Sequence, residues 1–208
     1  GITSPARPWF KLRVNGADEE NHELAVWLDE VQRRMLLIMS ESNFYNAMAV
    51  MYLDLVVFGT AAMLIYEDQK NVIRCFNPAL GEYYLGQDFG LQVNRFAREF
   101  SLKVDQVVTE FGEENCSDRV KAAWKTGGAA HSQDVKLTHI LEPNYPGAGA
   151  LPERFAFRET YYETGAPTGL VLRRKGFSEP PGIFARWEVT ANDAYGTAPA
   201  SDALGDVI

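Results

Sequence analysis

Residues 42–68 constrain the fold more than any other part of the chain. Phe44, Met48, Met51, Tyr52, Leu55 and Phe58 recur three or four residues apart, which puts them on one face of a helix. Ser42 or Asn43 stands where a side-chain oxygen can accept a hydrogen bond from a first-turn amide. Gly59 follows where a left-handed residue closes a helix. Ala61 to Tyr66 is then short and apolar, the pattern of a buried strand. One capped helix, one glycine stop and one strand make a supersecondary unit, and the rest of an α+β fold has to be built around it.

The flanking segments extend this unit in both directions. Pro5 and Pro8 disfavour a helix and predict an extended entry strand over 5–14, closed by a turn at Asn15-Gly16. Asp18, Glu19 and Glu20 suit a helix start, and Leu24, Trp27, Leu28, Val31, Met35 and Ile38 form the apolar stripe of a first helix ending near Ser40. The short connection to the second helix predicts an αα pair. Residues 61–67, 71–77, 82–86 and 91–100 then read as four strands of one antiparallel meander. Helical spacing returns at Val104, Val107, Val108 and Phe111, with Ser101 as the expected cap and Gly112 as the stop. It returns again over 118–125, between Ser117 and Gly127-Gly128. Strands are expected at 134–141, 154–163, 169–177 and 182–189, with a flexible loop over 142–150 and a last helix from Pro199. The chain is read as one region over 1–208, with possible subregions at 1–112 (helix pair and meander) and 113–208 (helix and second set of strands).

Composition narrows the function classes. A hydrophobic fraction of 46% against 23% charged residues belongs to a folded domain with a real core rather than to a disordered chain. The net charge of −8 argues against a surface that wraps nucleic acid, because phosphate binding needs clustered lysine and arginine. Cys75 and Cys116 are too few for a disulfide framework and have no zinc-type spacing, so reduced core thiols are expected. The longest apolar stretch, 55–66, is too short for a membrane-spanning helix, and no secretion signal opens the chain. The lack of an initiator methionine and of a cap on the last helix is read as the mark of a piece cut from a longer protein.

The motifs of enzymes are largely absent. Lys125-Thr126-Gly127-Gly128 carries P-loop residue types in the wrong order, and no serine sits in a GxSxG elbow. His22, His131 and His139 are scattered; His139 is read as a surface or partly buried strand residue. Glu67, Asp68, Glu82, Asp88 and Glu99 of the 61–100 meander could converge on a metal, which makes a small acidic metal-dependent hydrolase the alternative reading. Turn chemistry accounts for Asp68 and Asp88 without a metal. Tyr83-Tyr84 and Tyr161-Tyr162 should each place one ring inside and one outside. Arg173-Arg174-Lys175 is the single basic cluster, read as a solvated strand end. No catalytic, cofactor-binding or metal residue is assigned, and no cofactor is expected.

Several segments, taken in order, resemble one family. The Ser42-Asn43-Phe44-Tyr45 start leading to Phe58-Gly59-Thr60-Ala61 is similar to the head-to-tail connector (portal) proteins of short-tailed phages. So are Pro8-Trp9-Phe10 near the beginning, the pairs Asn77-Pro78 to Tyr83-Tyr84 and Phe89-Gly90 to Phe100, and Tyr195-Gly196-Thr197 near the end. Residues 124–174 match it least. The resemblance implies a portal wing-like α+β region: an N-terminal helix pair packed on antiparallel sheet, with stem, clip and crown absent. It further implies a structural, non-enzymatic subunit of a twelve-membered ring at the capsid vertex. That ring would nucleate assembly, pass DNA non-specifically during packaging and ejection, and join head to tail. The implied partners are other copies of the subunit and the capsid and scaffolding proteins, with terminase and tail adaptor engaged through parts missing here. The implied location is the virion, and the host cytoplasm during assembly.

Overall fold

Helix α1 (His22–Glu41) and helix α2 (Phe44–Phe58) are separated by only Ser42 and Asn43. That linker performs two different tasks. Ser42 Oγ accepts from the Phe44 amide at 3.2 Å, which satisfies one first-turn donor of α2 as the sequence predicts. Asn43 makes no side-chain cap and reaches instead to strand β2 (Val72–Phe76). Its amide donates to the Cys75 carbonyl at 2.7 Å and its oxygen accepts from the Cys75 amide at 2.8 Å. The side chain thus imitates a neighbouring strand for one residue of a sheet edge. A computed structural model describes residues 3–14, 22–147, 149–166, 170–201 and 203. The expected turn at Asn15-Gly16 and the acids of residues 18–20 lie outside them.

The chain divides into two units, interleaved in sequence. The first comprises residues 1–77, 181–188 and 196–208 and holds a three-stranded antiparallel sheet of order β2-β1-β8, with β1 at Thr60–Asp68 and β8 at Gly182–Arg186. Central strand β1 is buried continuously over residues 60–64, so it reads as an apolar run rather than an alternation. Ala61 and Met63 pack with Phe44, Ala47, Met51 and Cys75, and Trp9, Met48, Leu55 and Ile73 close the margins. Each large side chain so buried contributes about 1.5–3 kcal/mol. The expected entry strand over 5–14 is not a strand. The arm is fixed through its rings, with Trp9 stacked on Phe44 at 6.3 Å and donating through Nε1 to the Tyr45 hydroxyl at 3.1 Å. Prolines at 5 and 8 remove two of the amides that a ladder would need.

Gly59 is where the returning chain meets α2. It closes the helix in the left-handed conformation, φ 74°, and its amide donates to the Leu55 carbonyl. A Cβ there would sit 2.6 Å from the Ala198 amide nitrogen, with Gly196 and Thr197 backbone atoms as close or closer. Gly196 has the reciprocal constraint, since a Cβ on it would meet the Gly59 carbonyl. Two hydrogen bonds fix the approach: the Trp187 amide to the Gly59 carbonyl at 2.8 Å, and the Gly196 amide to Thr60 Oγ1 at 2.7 Å. After this contact the chain is helical again over 199–201.

The second unit comprises residues 78–180 and 189–195 and is built on a five-stranded antiparallel sheet in the order of the sequence: β3 (Tyr83–Gln87), β4 (Val93–Lys103), β5 (Asp134–Pro143), β6 (Phe157–Glu163) and β7 (Val171–Phe177). The four strands expected as one meander over 61–100 therefore belong to two sheets, because Asn77-Pro78 ends the first unit and β3 pairs only with β4. Helices α3 (Val104–Phe111) and α4 (Asp118–Thr126) interrupt the second sheet between β4 and β5. Ser101 does not cap α3, since β4 stays paired with β5 through Lys103 opposite Asp134. The Lys103 amide instead donates to the Gln106 side chain at 2.8 Å. Ser117 caps α4 as expected. The core here joins Val104, Val107, Phe111 and Val120 of the helices to Val135, Leu137, Tyr161 and Leu172 of the sheet. Glu163 ties β6 to α4: its buried carboxylate accepts from Ser117 Oγ at 2.9 Å and from Arg119 at 3.2 Å. The 142–150 loop, expected to be flexible, is held at its base by Asn144, which donates to the Leu151 and Phe155 carbonyls and accepts from the Leu151 amide.

His139 lies in the middle of this sheet with no exposure, deeper than the sequence suggested. Arg98 Nε donates to Nδ1 at 3.4 Å, so the proton sits on Nε2 and is given to Glu159 Oε1 at 2.9 Å. Tyr161 stacks on the imidazole at 4.2 Å and donates to the same carboxylate oxygen, and Phe96 meets its edge. Burial, aided by the Arg98 and Arg173 charges, pushes the imidazole below its ordinary value of 6.5, against the pull of Glu159.

Two outcomes are expected of this architecture. Gly59→Val adds a β-branched side chain at positive φ against backbone that cannot move aside, and should cost at least about 2 kcal/mol in denaturant unfolding. An unchanged midpoint would place the helix end elsewhere. His139 is neutral when folded and binds a proton more readily when unfolded, so its contribution is complete above pH 6.5 and lost as pH falls toward the lowered folded value. Unfolding free energy should therefore decline from pH 6.5 to 5, and His139→Asn should flatten that slope. An equal slope in both proteins counts against the buried neutral imidazole.

Candidate assembly surface

The candidate chemical groups are either engaged in local structure or turned to solvent. Asp68 Oδ1 accepts from the Lys70 and Asn71 amides, and Asp88 Oδ1 from the Gln92 amide, so both close turns. Glu82 accepts from the Ala79 amide, while Glu67 and Glu99 point to solvent. Glu67 and Asp68 belong to the first sheet, whereas Glu82, Asp88 and Glu99 accompany the second. Among the described residues, no three histidines, cysteines or carboxylates gather as metal ligands. His22 is exposed at the start of α1, and His131 stacks on Trp124 with Nε2 2.9 Å from its carbonyl.

Of the basic cluster expected as a solvated strand end, Lys175 is exposed but the two arginines are engaged. Arg173 gives an ion pair to Glu110 at 2.7 Å and lies over the rings of Phe111 and Tyr161, and Arg174 donates to Thr160. Tyr83 is buried and Tyr84 exposed, as strand alternation predicts; Tyr161 is buried and Tyr162 half-buried. Cys75 and Cys116 are buried free thiols whose burial pushes them up from their ordinary value. The cleft beside the start of α4 is lined by Cys116, Ser117, Arg119, Lys136 and Glu163, and the Glu163 carboxylate already takes the Ser117 amide there.

What the structure leaves open is apolar. Helix α2 buries Phe44, Ala47 and Met51 with Met48 and Leu55 beside them, yet its opposite face is apolar as well. At 3.6 residues per turn, Asn46, Ala49, Val50, Leu53, Val56 and Val57 share that outer face, and every one is exposed. Leu53 keeps 63% of its surface, and Tyr52 and Phe58 flank the face with their rings open. The single charge on the helix, Asp54, lies to the side, where partial burial raises it from its ordinary value. A helix apolar all round is normally buried all round. Helix α1 shows a milder version: Trp27 is 60% exposed, with Val26, Met35 and Leu37 also open, and only Leu28 is buried. The expected stripe of α2 included Tyr52 and Phe58 on one face with Phe44 and Met51; the structure exposes both. The signal for a second face was present in residues 47–53, seven apolar or aromatic residues without one polar interruption.

Comparison with known proteins supplies the context of this surface. The family described as bacteriophage head to tail connecting protein matches residues 1–208. The portal protein of Salmonella phage epsilon15 is 39% identical over 211 residues, and the probable portal protein of Bordetella phage BPP-1 is 37% identical over 213 residues. Both alignments cover 100% of this chain and 38% of the relative, so the chain spans well under half the length of the curated relatives it matches.

The two faces of α2 are separable by substitution. Met51→Ala, on the buried face, should cost about 2–5 kcal/mol in denaturant unfolding of the chain. Leu53→Gln, on the outer face, should stay within about 0.5 kcal/mol of the parent. Equal costs at the two positions would mean that the outer face is covered within the chain itself.

Proposed function

We propose a structural, non-catalytic role in the phage head for this chain, which belongs to the bacteriophage head to tail connecting protein family. The observation that carries the reading is agreement over the whole of residues 1–208 with portal proteins of two phages at 37–39% identity. In this reading residues 1–208 form one wing-like α+β region of a portal subunit. The complete protein assembles into a closed ring, twelve-membered in the family, at one vertex of the capsid. It nucleates the shell, lets DNA pass without sequence preference and receives the tail. Capsid, scaffolding, terminase and tail-adaptor proteins are its partners, and the virion is its final location.

The physical features agree with a wall rather than a catalyst. Buried His139 and Glu159 are closed on one another and buried Glu163 on Ser117 and Arg119, and the acidic balance disfavours adhesion to DNA. Among the described residues no helix is long and apolar enough to cross a membrane. The hydrolase alternative has nothing to recommend it, since the carboxylates it needs are engaged in turns or spread over two sheets.

Sedimentation velocity and electron microscopy of the complete protein test this reading. Closed rings with one repeated, head-to-tail contact are expected. A complete protein that remains monomeric at every concentration refutes it.

A further inference from the structure

The outer face of α2 is an open apolar surface among the described residues of the first unit, and its chemistry restricts what can cover it. Val50, Tyr52, Leu53, Val56, Val57 and Phe58 together leave on the order of 500 Å² of surface open, at the upper end of the largest apolar patch a monomer ordinarily carries. A standard interface uses roughly 800 Å² from each partner, so this one helix face supplies more than half of a contribution. The face carries no lysine or arginine, and the one charge on the helix, half-buried Asp54, lies at its edge between Val50 and Phe58, in a chain with a net charge of −8. Nucleic acid is excluded as its occupant, because phosphate recognition needs cations. A transient partner is disfavoured too, since such interfaces are about as polar as the ordinary surface, whereas permanent contacts between copies of one chain resemble a divided core.

The framework beneath the face is rigid. Asn43 bolts the start of α2 to β2 through two hydrogen bonds, and Gly59 locks its end against residues 196–198. A helix fixed at both ends presents its outer side chains without a cost for ordering the backbone on association.

We infer that the outer face of α2 is a contact between subunits, covered in the assembled protein by a second copy of the same chain. This deepens the portal reading and rests on it, because a ring supplies the neighbouring copy. A heterologous ring contact needs two different patches per subunit, and the face of α2 would be one of them.

Photo-crosslinking in the complete protein tests the inference. Benzoylphenylalanine placed at position 53 should yield a covalent product of twice the subunit mass, and Leu53→Glu should abolish rings while leaving the melting temperature of the unassembled subunit unchanged. Rings that persist with Leu53→Glu, or a crosslink confined to one subunit mass, would overturn the inference while leaving the portal reading intact. The second result would show that another segment of the same polypeptide covers the face. A crosslink to a different phage protein in isolated particles, without any self-product, overturns it equally. A complete protein that never assembles refutes the portal reading, and the inference with it.

Discussion

The fold of the first unit turns on the approach of two glycines, Gly59 and Gly196, at a distance where neither tolerates a side chain. Gly59 ends α2 in a left-handed conformation, Thr60 opens the central strand immediately after it, and the chain returns 136 residues later to donate to the Thr60 hydroxyl. Because backbone meets backbone here, the hydrogen bonds from Trp187 and Gly196 become possible. These in turn hold β8 and residues 196–201 on the same unit as the helix pair. A local stop signal thus doubles as a long-range docking point. Both glycines belong to the segments that resemble the connector family, and close approach gives a physical reason for those residue types.

Elsewhere, side chains repeatedly take the place of missing backbone partners. Asn43 pairs with the edge strand β2 at Cys75. In the second unit the Tyr195 hydroxyl accepts from the Leu85 amide on edge strand β3, and Asn144 gathers the base of a loop. Each satisfies buried or edge polar groups that would otherwise invite pairing with another chain. Tyr195 and Gly196, adjacent in sequence, serve different units: the tyrosine ring stands by β3 and the glycine against Gly59. The His139–Glu159–Tyr161 cluster follows the same logic in a core, with its polar atoms directed at one another and at Arg98 rather than toward a cleft.

Side chains thus meet part of the open backbone of edge strands β2 and β3, whereas the outer face of α2 is left bare. Hydrogen-bonding edges are indiscriminate, whereas an apolar helix face of defined shape accepts a complementary surface and little else. Among the described residues the buried polar groups Glu159, Glu163 and His139 hold the scaffold together.

Sequence alone determined the local elements and their punctuation. The period of α2, its glycine stop, the Ser117 cap and the alternation at Tyr83-Tyr84 are governed by neighbours within a few residues, and short-range physics is visible in the string. The sequence also carried the α+β class and the family, through segments whose order survives in it. Tertiary structure decided what depends on partners far along the chain. It split the expected meander at Asn77-Pro78 because β1 found β8 more than a hundred residues away, and it extended β4 through Ser101 because β5 continued beside it. It drew Arg173 of the basic cluster onto Glu110 and two rings, and it sank His139 to the centre of a sheet. Above all it decided which of two apolar faces of α2 meets the core. Periodicity can show that a face is apolar, but only packing determines which one is covered within the chain and which is left open.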